Sequence, residues 1–279
     1  MLLIALASGG LASGQGAPLE PFHNSGQGIT GAFEGWFPNE DGTYSLLVGY
    51  FNRNVQESAD IPVGPDNQIE PGGPDQGQPT HFLPGRAWGL FTITVPADFG
   101  DKHLTWTIVA HGQTSVIPLN INALWRLEPF LDATGDTPPY LGFSEDGPFV
   151  NGPRGQTKSL TTTVKTPLSL TLWIADDDKD PLREDLQKSS RYAPVKVRWI
   201  MFRGTGGVEF DDDAPPVARA ELKSGPPGTS FTGKVRTIVN FSEPGEYILN
   251  LQAQDSTGGG PAGRQCCWSN AKVKVLVKP

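Results

Sequence analysis

Phe241-Ser-Glu-Pro-Gly-Glu-Tyr-Ile-Leu-Asn-Leu-Gln-Ala-Gln-Asp255 decides the fold class. The stretch reads as the end of one strand, a turn at Pro244-Gly245, and a second strand. Tyr247, Leu249, Leu251 and Ala253 fall on one face of that second strand, and Glu246, Asn250, Gln252 and Gln254 mostly on the other. A side-chain period of two marks a half-buried strand. Proline fixes φ and glycine accepts a positive φ, so Pro-Gly suits a tight turn between the two.

The same period recurs on both sides of this stretch. Leu168, Leu170, Leu172 and Ile174 alternate, as do Val195, Val197, Trp199 and Met201, and Val235, Thr237, Val239 and Phe241. Val273, Val275 and Val277 close the chain, and a short strand is expected over 160–164. In the N-terminal half, 43–51 places Tyr44, Leu46, Val48 and Tyr50 on one face, and 88–95 groups Phe91, Ile93 and Val95. Leu104, Trp106 and Ile108 share a face, and the turn His111-Gly112 joins them to 113–119 as a hairpin. A weaker first strand is expected over 29–37. Gly 34 and Pro 26 make up roughly a fifth of the 279 residues, which suits many short strands with turns between them.

The expected fold is therefore all-β: two tandem antiparallel β-sandwich domains joined by a Pro/Gly-rich linker. The first occupies 17–127 and the second 158–279, with the linker at 128–157. Within the first, 52–86 is rich in Pro, Gly, Asp and Gln and is expected to be a long loop. Such a loop either covers a sheet edge or serves recognition. No residue-level repeat links the halves.

The opening stretch resembles the F-x-x-P-G-x-Y-x-L-x-x-x-A-x-D signature of PKD-like and related Ig-like β-sandwich modules of exported bacterial proteins, carried by Phe241, Pro244, Gly245, Tyr247, Leu249, Ala253 and Asp255. The segment from Gly49-Tyr-Phe-Asn-Arg-Asn54 through Gly85-Arg86 is similar to stretches of uncharacterised exported bacterial proteins, a resemblance that implies no activity. The Cys…Trp…Cys arrangement of true Ig domains is absent, because the two cysteines, Cys266 and Cys267, are adjacent. They form either a vicinal disulfide or two thiols on opposite faces of a strand start.

The first residues, Met-Leu-Leu-Ile-Ala-Leu-Ala7, are apolar, and a small-residue stretch with a candidate cleavage site at Ala12-Ser-Gly14 follows. The positive flank of a secretory signal is missing. Residues 1–16 are read as a truncated signal peptide, the alternative being an ordinary N-terminal flank; the first reading puts the protein in the periplasm or outside the cell. A net charge of −8 disfavours nucleic acid and anionic membranes as partners. No apolar run approaches the ~18 residues of a spanning helix.

The best chemical constellation is acidic. Asp176-Asp-Asp-Lys-Asp180 follows one strand, Asp211-Asp-Asp213 another, and Asp255 ends the opening stretch. In an Ig-like strand order these loops gather at one pole. Asp176, Asp178, Asp180, Asp211, Asp213 and Asp255 are then candidate ligands for Ca²⁺, which takes carboxylate and carbonyl oxygens. Asp176-x-Asp178-x-Asp180 lacks the glycine and closing glutamate of an EF-hand, so solvated loop tips are the alternative. Cys266, Cys267 and Trp268 are expected near the same pole. The tryptophans could stack on sugars, although Trp106 and Trp199 alternate with aliphatic residues and read as core. No Gly-x-Ser-x-Gly or His-Glu-x-x-His motif occurs. The expected function is a non-catalytic exported binding or scaffolding protein with a protein or carbohydrate partner. The alternative is a small β-sandwich hydrolase or metal-dependent enzyme using the acidic loops.

Overall fold

A computed structural model describes residues 23–133, 135–179, 193–255 and 266–279. The segment read as a signal peptide and Asp180 lie outside the described residues. The strands of the first half are β1 (Ile29–Pro38), β2 (Tyr44–Asn52), β3 (Ala59–Asp60), β4 (Asn67–Glu70), β5 (His81–Phe82), β6 (Gly85–Val95), β7 (Leu104–Ala110) and β8 (Gln113–Leu119). Those of the second are β9 (Tyr140–Gly142), β10 (Phe149–Val150), β11 (Gln156–Thr163), β12 (Leu168–Asp176), β13 (Lys196–Arg203), β14 (Val208–Phe210), β15 (Ala218–Arg219), β16 (Phe231–Phe241), β17 (Gly245–Gln254) and β18 (Trp268–Lys278). The only helical element among the described residues is a 3₁₀ turn at Ala123–Trp125, so the fold is all-β, and no described helix is long and apolar enough to cross a membrane.

In the first half, sheet β1–β2–β6 packs against sheet β4–β7–β8, and β3 pairs with β5. Alternation closes the core: Leu46, Val48, Phe91 and Ile93 from one sheet meet Ile69, Trp106 and Ile108 from the other. In the second half, sheet β10–β9–β12–β16–β14 faces sheet β11–β18–β17–β13. Leu170, Leu172, Val235 and Val239 interdigitate with Trp199, Leu249, Leu251 and Val273. Each buried side chain of this kind contributes about 1.5–3 kcal/mol. Tyr247, in the opening stretch, is buried and its hydroxyl donates to the Glu243 carbonyl at 2.9 Å. A tyrosine bonded to backbone just upstream is a recurrent tie of Ig-like sandwiches.

The antiparallel sheets carry one parallel pair among the described strands, β11 with β18. Two further details depart from the expectation. The 52–86 stretch is not a structureless loop: it supplies β4, which pairs with β7, and the β3–β5 ribbon. The 128–157 stretch is not only a linker: β9 pairs with β12 and β10 with β9, and Leu141 enters the second core.

The polar face of β17 also does something alternation cannot foretell. It faces the first half of the chain rather than open water. Gln252 Nε2 donates to the Trp88 carbonyl at 2.9 Å. On neighbouring β18, Asn270 Nδ2 donates to the Gly89 carbonyl at 2.8 Å, and Trp268 packs with Phe37, Leu47 and Leu127. Phe202 of β13 is buried in the first core. Arg203 grips the Asp75 carboxylate with two nitrogens at 3.0 and 2.8 Å. At Gly89, where φ is +51°, a Cβ would collide with the Trp268 indole, so only glycine permits this approach.

Candidate metal centre

The strand period that builds the second core also builds this site. Leu170, Leu172 and Ile174 point inward, and Asp176, next in phase, ends β12 pointing the same way. Leu249, Leu251 and Ala253 point inward, and Asp255, in phase just past β17, follows them. Cys267 shares its phase with Ala271 and Val273 of β18. Two carboxylates and one sulfur are thus delivered to one end of an apolar core.

A further carboxylate arrives from the stretch expected to be a linker. Asp132 and Asp136 close a tight turn, with the Asp132 amide on the Asp136 carbonyl at 3.0 Å and the Asp136 amide on Asp132 Oδ1 at 3.0 Å. Thr137 Oγ1 donates to Asp177 Oδ2 at 3.0 Å, and Lys179 Nζ donates to the Gly135 carbonyl at 3.0 Å. These bonds fix the turn onto the end of β12. Ligand atoms of Asp136, Asp255 and Cys267 then lie within 4.8 Å of one another, all from buried residues. Asp176 is only 2% exposed, and its Oδ1 is buried without a hydrogen-bond partner, as is Asp177 Oδ1. Asp176 Oδ2 accepts from the Asp178 amide at 3.0 Å.

Electrostatics register the crowding. The Asp176 carboxyl is pushed up to about 8, first by burial and next by the negative charges of Asp255 and Asp136, against the opposing Asp178 N–H. Carboxylates this close and this dry do not all ionise unaided; they are matched by protons or by a cation. The donors are hard oxygens. Cys267 is disulfide-bonded to Cys266, so its sulfur is not a thiolate and adds no metal-binding charge. That sulfur lies 3.5 Å from the Asp136 carbonyl oxygen, so the disulfide forms one wall of the site. An oxygen-only set suits Ca²⁺ rather than zinc.

Of the six aspartates singled out in the sequence, the five that are described therefore separate, Asp180 lying outside the described residues. Asp176 and Asp255 come together, joined by Asp136 and Asp177. Asp178 stands beside them with φ of +54°, its amide held by Asp176. Asp211 and Asp213 do not join. The Asp211 amide bonds to the Ile238 carbonyl, near the end of β16 that pairs with the start of β12, whereas Asp176 pairs with Phe231 at the other end. The expected return of 208–213 to the Asp176 pole fails because β14 runs antiparallel to β16 from Phe241 toward Val239 and stops partway. Asp211 Oδ1 instead accepts from Thr237 Oγ1 and the Ile238 amide, both at 2.7 Å, and these bonds hold its carboxyl below the usual range. Asp213 faces Arg198 at 3.6 Å. Phase with the core strand was a readable signal for Asp176 and Asp255. Asp136 had none, since it sits in a turn without period.

No protein-family model matches the chain, and no curated protein matches it. Among solved structures, the chain is similar to the D00–D0 domain of intimin at 11% identity and a TM-score of 0.27, over 89% of this chain and 99% of that one. It is also similar to domains 4 and 5 of the S-layer protein SbsC, at 10% identity and a TM-score of 0.23, over 91% of this chain and 98% of that one. Cadherin-like domains 1 to 4 of zebrafish RET align at 13% identity and a TM-score of 0.25, over 80% of this chain and 46% of that one. At such scores the likeness is loose, and the β-sandwich class rests on the strand pairing of this chain.

Proposed function

We propose that the protein is a non-catalytic exported module for binding or scaffolding, in which the acidic pole takes one Ca²⁺ ion that locks the 132–137 turn to the ends of β12 and β17. The reading is carried by the buried Asp176 carboxylate, whose Oδ1 lacks a hydrogen-bond partner while Asp136, Asp177 and Asp255 crowd it. A divalent cation offsets that repulsion and uses the oxygen, and Asp136, Asp176 and Asp255 are the proposed ligands. Because they come from three separate segments, the ion stiffens the second sandwich and its attachment to the first. Stiff tandem sandwiches suit presentation of a surface rather than chemistry. The Cys266–Cys267 disulfide supports an oxidising compartment, the periplasm or the exterior.

Thermal unfolding of the full chain tests the reading. A ligand bound only by the folded state raises its stability, by about 2.7 kcal/mol at a hundred times its Kd. Ca²⁺ is expected to raise the melting temperature by several degrees over chelator, and Asp176→Asn to remove the gain. Equal melting with Ca²⁺ and with chelator refutes the cation site.

A further inference from the structure

A second feature lies where the polar face of β17 diverges from the first half of the chain. There a cleft of about 330 Å³ opens between β6, β13 and β17. That is at the small end of ligand pockets, about 300–1,000 Å³, and fits one or two sugar rings. Its lining is unusual for a chain of net charge −8. Arg86, Lys196 and Arg198 line it, and among the described residues no carboxylate does.

The polar groups are specific in kind. Asn250, Gln252 and Gln254 occupy alternate positions of β17 and form a row of amides along one wall. Asn250 is fully buried, yet its Oδ1 lacks a hydrogen-bond partner. A buried acceptor left in this state costs about 1–3 kcal/mol and calls for a donor. Trp88 lines the same cleft and remains 40% exposed. The Arg86 guanidinium lies over its ring at 3.9 Å from the centroid, and Arg86 is itself anchored to Glu34 at 2.8 Å. The indole is thus held in place by Arg86 and stays partly exposed.

We infer that this cleft binds an acidic carbohydrate, one uronate unit of a glycan chain. The sugar's C–H face stacks on Trp88, its hydroxyls bond to the half-buried Gln252 and Gln254 amides, and its carboxylate meets Lys196 and Arg198. An aromatic platform beside an amide row suits a sugar ring. Arg86 is held by Glu34 and Arg198 faces Asp213 at 3.6 Å, but neither carboxylate lines the cleft, so its cationic lining favours the charged sugar over the neutral one. The site is distinct from the acidic pole: Gln254 belongs to the cleft, and Asp255, the next residue, to the carboxylate cluster.

Calorimetric titration of the full chain tests this, using tetramers of galacturonate, mannuronate and glucuronate with maltotetraose as the neutral control. The titrations are run in Ca²⁺ and in chelator, at low and high salt. At least one uronate tetramer is expected to bind in both buffers, more weakly as salt rises, while maltotetraose does not bind. Trp88→Ala, at an exposed position, and the Lys196→Ala/Arg198→Ala pair are each expected to weaken binding at least tenfold, with unchanged circular dichroism. Failure of all three uronates overturns the proposal, as does binding unaffected by Trp88→Ala. Binding that disappears in chelator, or in Asp176→Asn alone, assigns the sugar to the acidic pole and also overturns it.

Discussion

Asp176-Asp-Asp178 and Asp211-Asp-Asp213 are the same three letters, each following an apolar run, and the fold makes opposites of them. Asp176 is buried at the end of a core-facing strand phase, crowded by other carboxylates, and its carboxyl is pushed up to about 8. Asp211 is at the surface, capped by a hydroxyl and an amide N–H, and its carboxyl is held below the usual range. Composition is identical, so the difference comes from strand phase and from what each carboxylate faces. Burial with one oxygen left without a donor, among like charges, makes a carboxylate in want of a cation; exposure with donors makes one that needs nothing further.

The largest expected effect breaks the comparison at its buried end. In saturating Ca²⁺, Asp176→Asn and Asp255→Asn each lose the cation's contribution, about 2–3 kcal/mol by denaturant titration at a hundredfold excess over Kd. In chelator the same variants are no less stable than the parent, because a neutral amide removes like-charge repulsion. Equal destabilisation in both buffers would assign these residues a packing role only.

At the exposed end the relevant partner is Thr237, itself buried, whose hydroxyl lies within bonding distance of both Asp211 Oδ1 and the Asp212 carbonyl. Thr237→Val is expected to cost about 1 kcal/mol, with or without Ca²⁺. A cost that depends on Ca²⁺ would mean that the two clusters communicate.

If burial is what separates the clusters, it must act on a half-buried cation in the opposite direction. Lys272 sits over the Phe202 ring at 4.2 Å, where the two halves of the chain meet. Burial, aided by Arg203 and Lys274, pushes its ammonium down from 10.5 to about 8. Between those two values the unfolded chain binds more protons than the folded one, so stability rises with pH across that window. Denaturant titrations from pH 8 to 10.5 are expected to show the rise in the parent and its attenuation in Lys272→Met. The smallest effect is expected from Asp213→Asn, which removes an exposed ion pair and leaves the unfolding midpoint within error of the parent.

Much of the fold was legible where strands are long enough to show their period. Leu168 to Ile174, Val235 to Phe241 and Tyr247 to Ala253 announced both their strands and their buried faces. The short strands were not, because β3, β5 and β10 span two residues each and cannot display alternation. Polar positions carried a second ambiguity. Gln252 and Asn270 look like solvent-facing residues in sequence, but a carbonyl of the other half of the chain satisfies an amide as well as water does. The candidate metal centre was legible to the same extent. Asp176 and Asp255 could be found by phase, whereas Asp136 depended on how a turn in another segment closes, and Asp211 was misplaced because the length of β14 is set by tertiary pairing.

The most direct measurement is calorimetric titration of Ca²⁺ into the chelator-treated full chain, comparing the parent with Asp176→Asn and Asp211→Asn. One saturable site is expected in the parent, kept in Asp211→Asn and lost in Asp176→Asn. No site in the parent, or a site that survives Asp176→Asn and vanishes in Asp211→Asn, would contradict that expectation.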